Sequence, residues 1–349
     1  MKTLLVGFFG EGNLGDEAIL EGFLRAARNP NGFLVTAGNS KIPPGVEKIY
    51  RKGLVGWIEF LKALSCTREV IFMGGILQDW SIEGVTFFAL RMFAGKFFKK
   101  RISLWGAGLG PLRNETLRRI SRSALLKTDT VWLRDGYSVD LFGKLTAKIA
   151  HRGTDWSWMI PQTSQWRRTV NEKWGTAINL RPWRDLKWFE TVSERLKNNL
   201  YKSPVTGFAL RKEDQKILSR LTLSKLKGPS SFDLFSNLPR KPESSSVCDT
   251  STEFFEPASF SELMEFCNTV AEAWTMRYHA LIAAIRSGVP VVPLSYDKKV
   301  ESLAMEAGLH SAVANPSIAS PVRVDSQFIQ ESKRRLDNMK AALEEYLGH

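Results

Sequence analysis

The sequence predicts an α/β protein whose parallel sheets carry helices on both faces. Three observations predict it. Short apolar runs alternate with helix-forming stretches along most of the 349 residues, the pattern of strand–helix units on a parallel sheet. Glycine or a charged residue follows nearly every apolar run, as at Gly10, Gly74, Gly106 and Arg134; the carboxyl ends of parallel strands are where an open α/β sheet meets its ligands. The length suits two domains of roughly 150 residues each.

Taken in order, Thr3 to Phe9 is the first strand, Phe33 to Thr36 the second, and Leu54 to Leu64 an amphipathic helix. Glu69 to Met73 is a buried strand and Gly84 to Phe98 a helix. Arg101 to Trp105 is a strand ending in Gly106-Ala107-Gly108-Leu109-Gly110-Pro111, and Asn114 to Leu126 a helix. Thr130 to Leu133 is a strand ending in Arg134-Asp135. Tyr137 to Phe142 is helical, and Lys148 to Ala150 is a last short strand. Polar, Trp-bearing Pro161 to Lys173 reads as a linker. A second α/β unit has strands near Ala177 to Leu180, Val205 to Phe208, Ala271 to Thr275 and Val289 to Leu294. The Ser- and Pro-rich stretch Gly228 to Pro257 reads as an irregular insertion, or in part as a strand. Asp325 to Leu347 is a charged helix placed to fold back across the domains. The expected boundaries are therefore 1–165, 174–320 and a closing segment 321–349.

Two turns carry most of the chemistry. Gly10-Glu11-Gly12-Asn13-Leu14-Gly15 fits the G-x-G-x-x-G spacing of a nucleotide-binding turn. Glu11 and the acidic helix start Asp16-Glu17 suit a dinucleotide phosphate poorly. In the second unit Arg277 and His279 stand where a strand turns into a helix, the positive end of the helix dipole and a seat for an anion. The next strand exit delivers Lys298 and Lys299 to the same rim. Each residue alone reads as surface charge or ordinary packing; two cations and a histidine on consecutive strand exits read as a site.

Lys and Arg total 49 against 36 Asp and Glu, a net charge of +13. Such a field attracts polyanions, anionic membrane faces or small phosphorylated substrates. Cys66, Cys248 and Cys267 are scattered and odd in number, which fits a reducing compartment and argues against a disulfide scaffold. No stretch approaches the roughly 20 apolar residues of a membrane span. The expected location is cytoplasmic, with peripheral contact at the inner face of the membrane.

The turns together, in order over most of the chain, resemble the polysaccharide pyruvyltransferase family, in particular its bacterial cell-wall members. The resemblance is carried by Gly12 to Ala18, Gly74 to Asp79, Gly106 to Pro111, Arg134-Asp135, Asn179 to Trp183, Met276 to Ile282 and Tyr296 to Val300. It implies two Rossmann-like domains facing a cleft, as in GT-B glycosyltransferases. It implies transfer of a pyruvyl group from phosphoenolpyruvate to a sugar as a cyclic ketal, with release of phosphate. The acceptor it implies is a lipid-linked, N-acetylmannosamine-containing saccharide whose ketal serves S-layer anchoring. The family's phosphoenolpyruvate-binding positions fall on Arg134, Arg277 and Lys299, with His279 beside them. Phosphoenolpyruvate is then a co-substrate; no cofactor, metal or nucleic acid is expected.

The chemistry agrees with the residues. Phosphate and carboxylate call for several cations, and arginine forks pair with both. Enolpyruvyl transfer begins with protonation of the methylene carbon, for which His279 is the candidate acid, histidine being the side chain that exchanges protons near neutrality. Asp16, Glu17 and Asp155 are the candidates to take the hydroxyl proton. Asn13, Glu17, Gln78 and Asp79 are expected to hydrogen-bond the acceptor sugar. A GT-B glycosyltransferase using a nucleotide sugar is one alternative; a basic saccharide- or membrane-binding module is another. Trp156, Trp158, Trp166, Trp174 and Trp183 would stack on sugars in that case, although packing is the plainer role for most. Phe87, Phe88, Phe93, Phe97 and Phe98 alternate with Arg91, Lys96, Lys99, Lys100 and Arg101. That segment is expected to bury its aromatics and rest its basic end on anionic lipid.

Overall fold

The computed structural model describes residues 2–27, 30–40, 42–162, 174–182, 205–220, 254–309 and 320–348. Its first half is a seven-stranded sheet in the order β3-β2-β1-β4-β5-β6-β7, parallel throughout. The strands are β1 (Lys2–Phe9), β2 (Phe33–Ala37), β3 (Glu47–Tyr50), β4 (Thr67–Ile76), β5 (Arg101–Leu109), β6 (Thr130–Leu133) and β7 (His151–Arg152). The helices between them are α1 (Leu14–Ala27), α2 (Gly53–Cys66), α3 (Ile82–Phe97), α4 (Glu115–Leu125) and α5 (Gly136–Thr146). Caps set their starts: Ser81, Asn114 and Asp135 each accept a backbone N–H three residues on.

The second half is a five-stranded parallel sheet, β10-β9-β8-β11-β12. It comprises β8 (Trp174–Asn179), β9 (Val205–Phe208), β10 (Phe254–Phe255), β11 (Val270–Thr275) and β12 (Val291–Pro293). Its helices are α6 (Lys212–Arg220), α7 (Phe260–Thr269), α8 (Tyr278–Arg286) and α9 (Lys298–Glu306); α10 (Ser326–Gly348) follows. Both sheets are doubly wound, and each reverses its strand order at one place: beside β1 and β4 in the first, beside β8 and β11 in the second. These are the switch points at which such sheets bind ligands.

One apolar core joins the halves. It runs from Leu5, Phe9 and Phe23 of the first sheet's face through buried Trp156 to Ala273, Leu281 and Val292 of the second. A second core lies under α2 to α5 on the other face of the first sheet. An antiparallel bridge between Val291 and Val322 fixes the segment before α10 to the second sheet. The helix then returns to the first: Leu336, Met339 and Leu343 are buried, Tyr346 packs on Trp105, and Arg68 donates to the Leu347 carbonyl.

Four elements depart from the expectations. The short edge strand β3 and helices α6 and α7 lie where none was predicted. The last strand of the first sheet is His151–Arg152 rather than Lys148 to Ala150, because Ala147 takes a left-handed φ of 56° that closes α5 and leaves Ile149 95% exposed. Of the Ser- and Pro-rich stretch, Phe254–Phe255 form edge strand β10; residues 228–253 lie outside the described residues, as do 163–173 of the predicted linker with Trp166, and Trp183 and Cys248.

Candidate active site

A cavity of about 780 Å³ opens between the two switch points. The first half contributes Phe8, Asn13, Asp16, Gln78 and Arg134 to its wall, and the second contributes Arg181, Arg211, Arg277, His279, Tyr296 and Lys299.

Its centre is the contact between the two turns singled out in the sequence. His279, in the first turn of α8, lies against Gly15 at the start of α1. A Cβ at Gly15 would fall 2.1 Å from His279 Nδ1 and 2.4 Å from its Cγ. The third glycine of the G-x-G-x-x-G pattern therefore makes room for a histidine from the other sheet. Beside it Asp16 is buried and accepts from the Asn13 amide. Burial pushes the Asp16 carboxyl above its ordinary range, against the pull of His279 and Asn13.

Behind the histidine, its Nε2 stands 3.3 Å from Asp155 Oδ2 without a directed hydrogen bond. Asp155 also accepts from Arg134 Nη1 at 2.9 Å and caps the turn Trp156–Met159 through the Ser157 N–H at 3.0 Å. Burial opposes its charge, but His279 and Arg134 outweigh that and hold the carboxyl well below the usual carboxylate range. Arg134, at the end of β6, is packed with its guanidinium 4.0 Å from the Tyr278 ring centre. Gly108 lets it lie there, since a Cβ would meet Arg134 Nε at 2.5 Å.

On the second sheet's side, Arg277 donates its backbone N–H to Asn179 Oδ1 at 3.0 Å, and its guanidinium pairs with Asp214 at 2.6 Å and Glu213 at 2.7 Å. Both acids belong to α6, which the sequence did not reveal. Burial disfavours the Arg277 charge, but these two carboxylates raise its affinity for the proton above that of an ordinary arginine. Lys299 is buried with Nζ 3.6 Å from Asp297, whose carboxylate caps α9. Burial, aided by Arg134 and Arg181 nearby, pushes the Lys299 ammonium down. Arg181 donates to Tyr296 Oη at 2.9 Å.

Arg134, Arg277, His279, Lys299, Asn13, Asp16 and Gln78 thus share one cavity wall. Three predicted residues stand off it. Asp155 reaches the cavity only through His279 and Arg134. Glu17 faces its own turn, accepting from the Gly10 N–H at 2.7 Å. Asp79 accepts from the backbone N–H groups of Arg113 and Asn114, the latter at 2.8 Å, and so pins the turn before α4. Trp156 and Trp158 are packing residues: the first donates to the Trp105 carbonyl at 3.0 Å, and the second lies beside Phe328. Sequence reasoning placed none of Arg51, Arg91 and Arg211 in the site, yet all three line the wall. Arg91 had been grouped with the membrane-facing cations; it is buried because its helix face turns toward α2. No local signal marks any of the three.

The fold and site define a GT-B-like protein, two facing doubly wound sheets with a cationic pocket at their switch points. Residues 13–298 match the model of the family described as "Polysaccharide pyruvyl transferase", and the chain belongs to that family of enzymes. Among curated proteins none matches. Solved structures of similar fold include UDP-GlcNAc 2-epimerase from Methanocaldococcus jannaschii, with a TM-score of 0.57 and 13% identity over 98% of this chain and 99% of that one. Another is Anabaena Alr3699/HepE in complex with UDP and glucose, with a TM-score of 0.56 and 12% identity over 100% and 99% of the two chains. A third is UDP-GlcNAc 2-epimerase from Neisseria meningitidis bound to UDP-GlcNAc, with a TM-score of 0.55 and 13% identity over 99% of each. At these identities the likeness is one of fold.

Proposed function

We propose that the protein transfers the pyruvyl group of phosphoenolpyruvate to two hydroxyls of a lipid-linked cell-wall saccharide, forming a cyclic ketal and releasing phosphate. The observation that carries this reading is the grouping of Arg134, Arg181, Arg277 and Lys299 around His279 in one cavity. A small donor carrying both phosphate and carboxylate needs that density of cations, and an enol phosphate needs an acid beside them.

In this reading the phosphate and carboxylate lie against Arg134 and the cations of the second sheet. His279 delivers a proton to the methylene carbon, which becomes a methyl group. One sugar hydroxyl adds to C2 and gives its proton to Asp16, whose raised carboxyl suits a base better than the salt-bridged Asp155. Phosphate then leaves as the C2–O bond breaks and takes the proton held by Asp16, and the second hydroxyl closes the ketal and returns a proton to His279. Asp155 positions His279 and Arg134 rather than touching substrate. Asn13 and Gln78 face the acceptor. Exposed Leu54, Val55 and Ile58 on the first turns of α2, next to cavity residues Gly53 and Trp57, suit an acceptor with an apolar tail at the cytoplasmic membrane face.

A nucleotide-sugar transferase would need a carboxylate for the ribose on the second sheet's side. Arg181, Leu210, Arg211, Arg277, Tyr278, His279, Tyr296 and Lys299 form that side of the wall among the described residues, and none is acidic. The test is phosphate release on mixing protein, phosphoenolpyruvate and lipid-linked saccharides, with calorimetry for donor binding. His279→Gln is expected to bind phosphoenolpyruvate nearly normally and to lose roughly 10²–10⁴-fold in turnover. Arg277→Ala and Lys299→Ala are expected to weaken donor binding about 10- to 200-fold. Tight binding of UDP-sugars with no binding of phosphoenolpyruvate would overturn the reading.

A further inference from the structure

Among the cavity residues from the first sheet's side, a second group of cations is stacked with aromatic rings. The Arg51 guanidinium lies between the rings of Phe8 and Phe87, 4.2 and 4.3 Å from their centres. On Phe87 also lies Arg91, at 3.7 Å, with Trp57 and Phe60 each at 5.2 Å on its flanks. Two guanidinium groups thus share one ring, and both arginines are buried.

Their charge is incompletely matched. Glu11 pairs with Arg51 at 3.3 Å, but the same carboxylate also takes Lys52 at 2.6 Å. Arg91 has no carboxylate partner among the described residues. It donates only to two backbone carbonyls, of Phe87 and Arg51, both at 3.1 Å, and its Nε is buried with no hydrogen bond at all. Burial, with Arg51 adding to it, lowers its proton affinity to a pKa of about 10. A buried cation without an anion destabilises a fold, and ring faces offset only part of that cost. Yet Arg51, Lys52 and Arg91 all line the cavity, so an anion entering it would supply what the protein lacks. Arg211, 5.6 Å from the Phe8 ring centre, continues the cations toward the donor end.

We infer that Arg51, Arg91 and Lys52 form a second anion subsite, separate from the donor cations, that binds a phosphoryl group of the acceptor saccharide. This rests on the pyruvyltransferase reading for the identity of the ligand, and on the unmatched buried cations for the site itself. A phosphoryl group fits because guanidinium forks and an ammonium converge on one cavity end. The exposed apolar turns of α2 beside it suit a phosphoryl group carrying an apolar chain.

The test uses inorganic pyrophosphate as probe in calorimetry against the full-length protein. Arg91→Gln is expected to weaken pyrophosphate binding about 10- to 100-fold while phosphoenolpyruvate binds within twofold of wild type. Arg91→Lys is expected to recover part of the loss, and Arg277→Gln to leave a pyrophosphate site intact. Lys52→Gln changes a side chain that is 61% exposed and so weakens the subsite without threatening the fold, should Arg91→Gln not fold. Wild-type protein that binds no pyrophosphate, or Arg91→Gln and Lys52→Gln that bind it unchanged, would overturn the subsite. So would loss confined to Arg277→Gln. Acceptor kinetics separate the sources of the anion: the KM for a sugar diphosphate ester should rise in the Arg91 variant and that for the phosphate-free sugar should not. Relief of inhibition by inorganic phosphate with an unchanged ester KM would assign the subsite to free phosphate and overturn the acceptor assignment. If wild type ignores phosphoenolpyruvate yet binds pyrophosphate through Arg91, the transferase reading falls and the subsite stands.

Discussion

Gly15 and Glu17 show how the glycine-rich turn works at the scale of single residues. Gly15 is glycine because the imidazole of His279 occupies the place of its side chain. Gly15→Ala is expected to push the ring off position and lower kcat/KM by about 10²-fold, with little change in a thermal melt; a near-wild-type rate would show that the histidine is not held there. Glu17 is different. Its carboxyl, raised to about 7 by burial, sits well above its usual 4.5 despite accepting from Gly10. The folded state holds that proton more tightly than the unfolded chain. Glu17 therefore favours folding fully below pH 4.5, and its contribution falls as pH rises to about 7 and is flat beyond. Glu17→Gln keeps an oxygen acceptor for Gly10 and cannot ionise. Urea midpoints at pH 5 and pH 8 should differ less in the variant than in wild type; an equal difference would mean that Glu17 does not titrate in this window.

α3 divides its duties along its length. Its stretch up to Arg91 turns Phe87 and Arg91 into the cavity wall and buries Phe88 on the sheet. Its end does the reverse: Phe97 is 83% exposed, and Phe98 is exposed beside it. Of the lysines there, Lys96 pairs with Asp129 and Lys100 donates to the Thr67 carbonyl at 2.7 Å, which leaves Lys99 without an ion pair among the described residues. The expected aromatic burial therefore holds for Phe88 and not for the last turn. A basic, aromatic helix end of this kind suits the edge of an anionic membrane. In a vesicle sedimentation assay, Phe97→Ser combined with Lys99→Glu should reduce the fraction bound to anionic vesicles; equal binding would remove α3 from any membrane contact. Among the described residues no helix is long and apolar enough to cross a membrane.

The whole molecule depends on the two sheets keeping their switch points opposed. Three features do this: the shared core, the Leu14 N–H donated to the Leu210 carbonyl at 3.2 Å, and α10 running back over α1 and the Trp156–Met159 turn. Met339 is fully buried on that route, with its sulfur over Gly153. Met339→Ala is expected to cost about 2–5 kcal/mol of stability, read from chemical denaturation, although the residue is not part of the cavity lining. A cost below about 0.5 kcal/mol would mean that α10 contributes little to holding the halves together.

The parallel α/β architecture is legible in the residues alone, because strand and helix periods and the glycines after strands are local properties of the chain. So are the two turns of the site: Gly10 to Gly15 and Met276 to His279 are contiguous motifs, and their residue types already state an acidic and a cationic edge. What the sequence could not state was their meeting, since the Gly15–His279 contact joins positions 264 apart in the chain. Only the tertiary structure showed that Asp214 and Glu213 neutralise Arg277, that Asp155 lies behind the histidine rather than on the wall, and that Glu17 and Asp79 tie down their own turns. The same holds for Arg51 and Arg91, which read as ordinary charges in sequence. Their burial depends on Phe8, Trp57 and Phe87 converging from three separate elements, and burial, not residue type, decides whether an arginine is a solvated charge or a binding group.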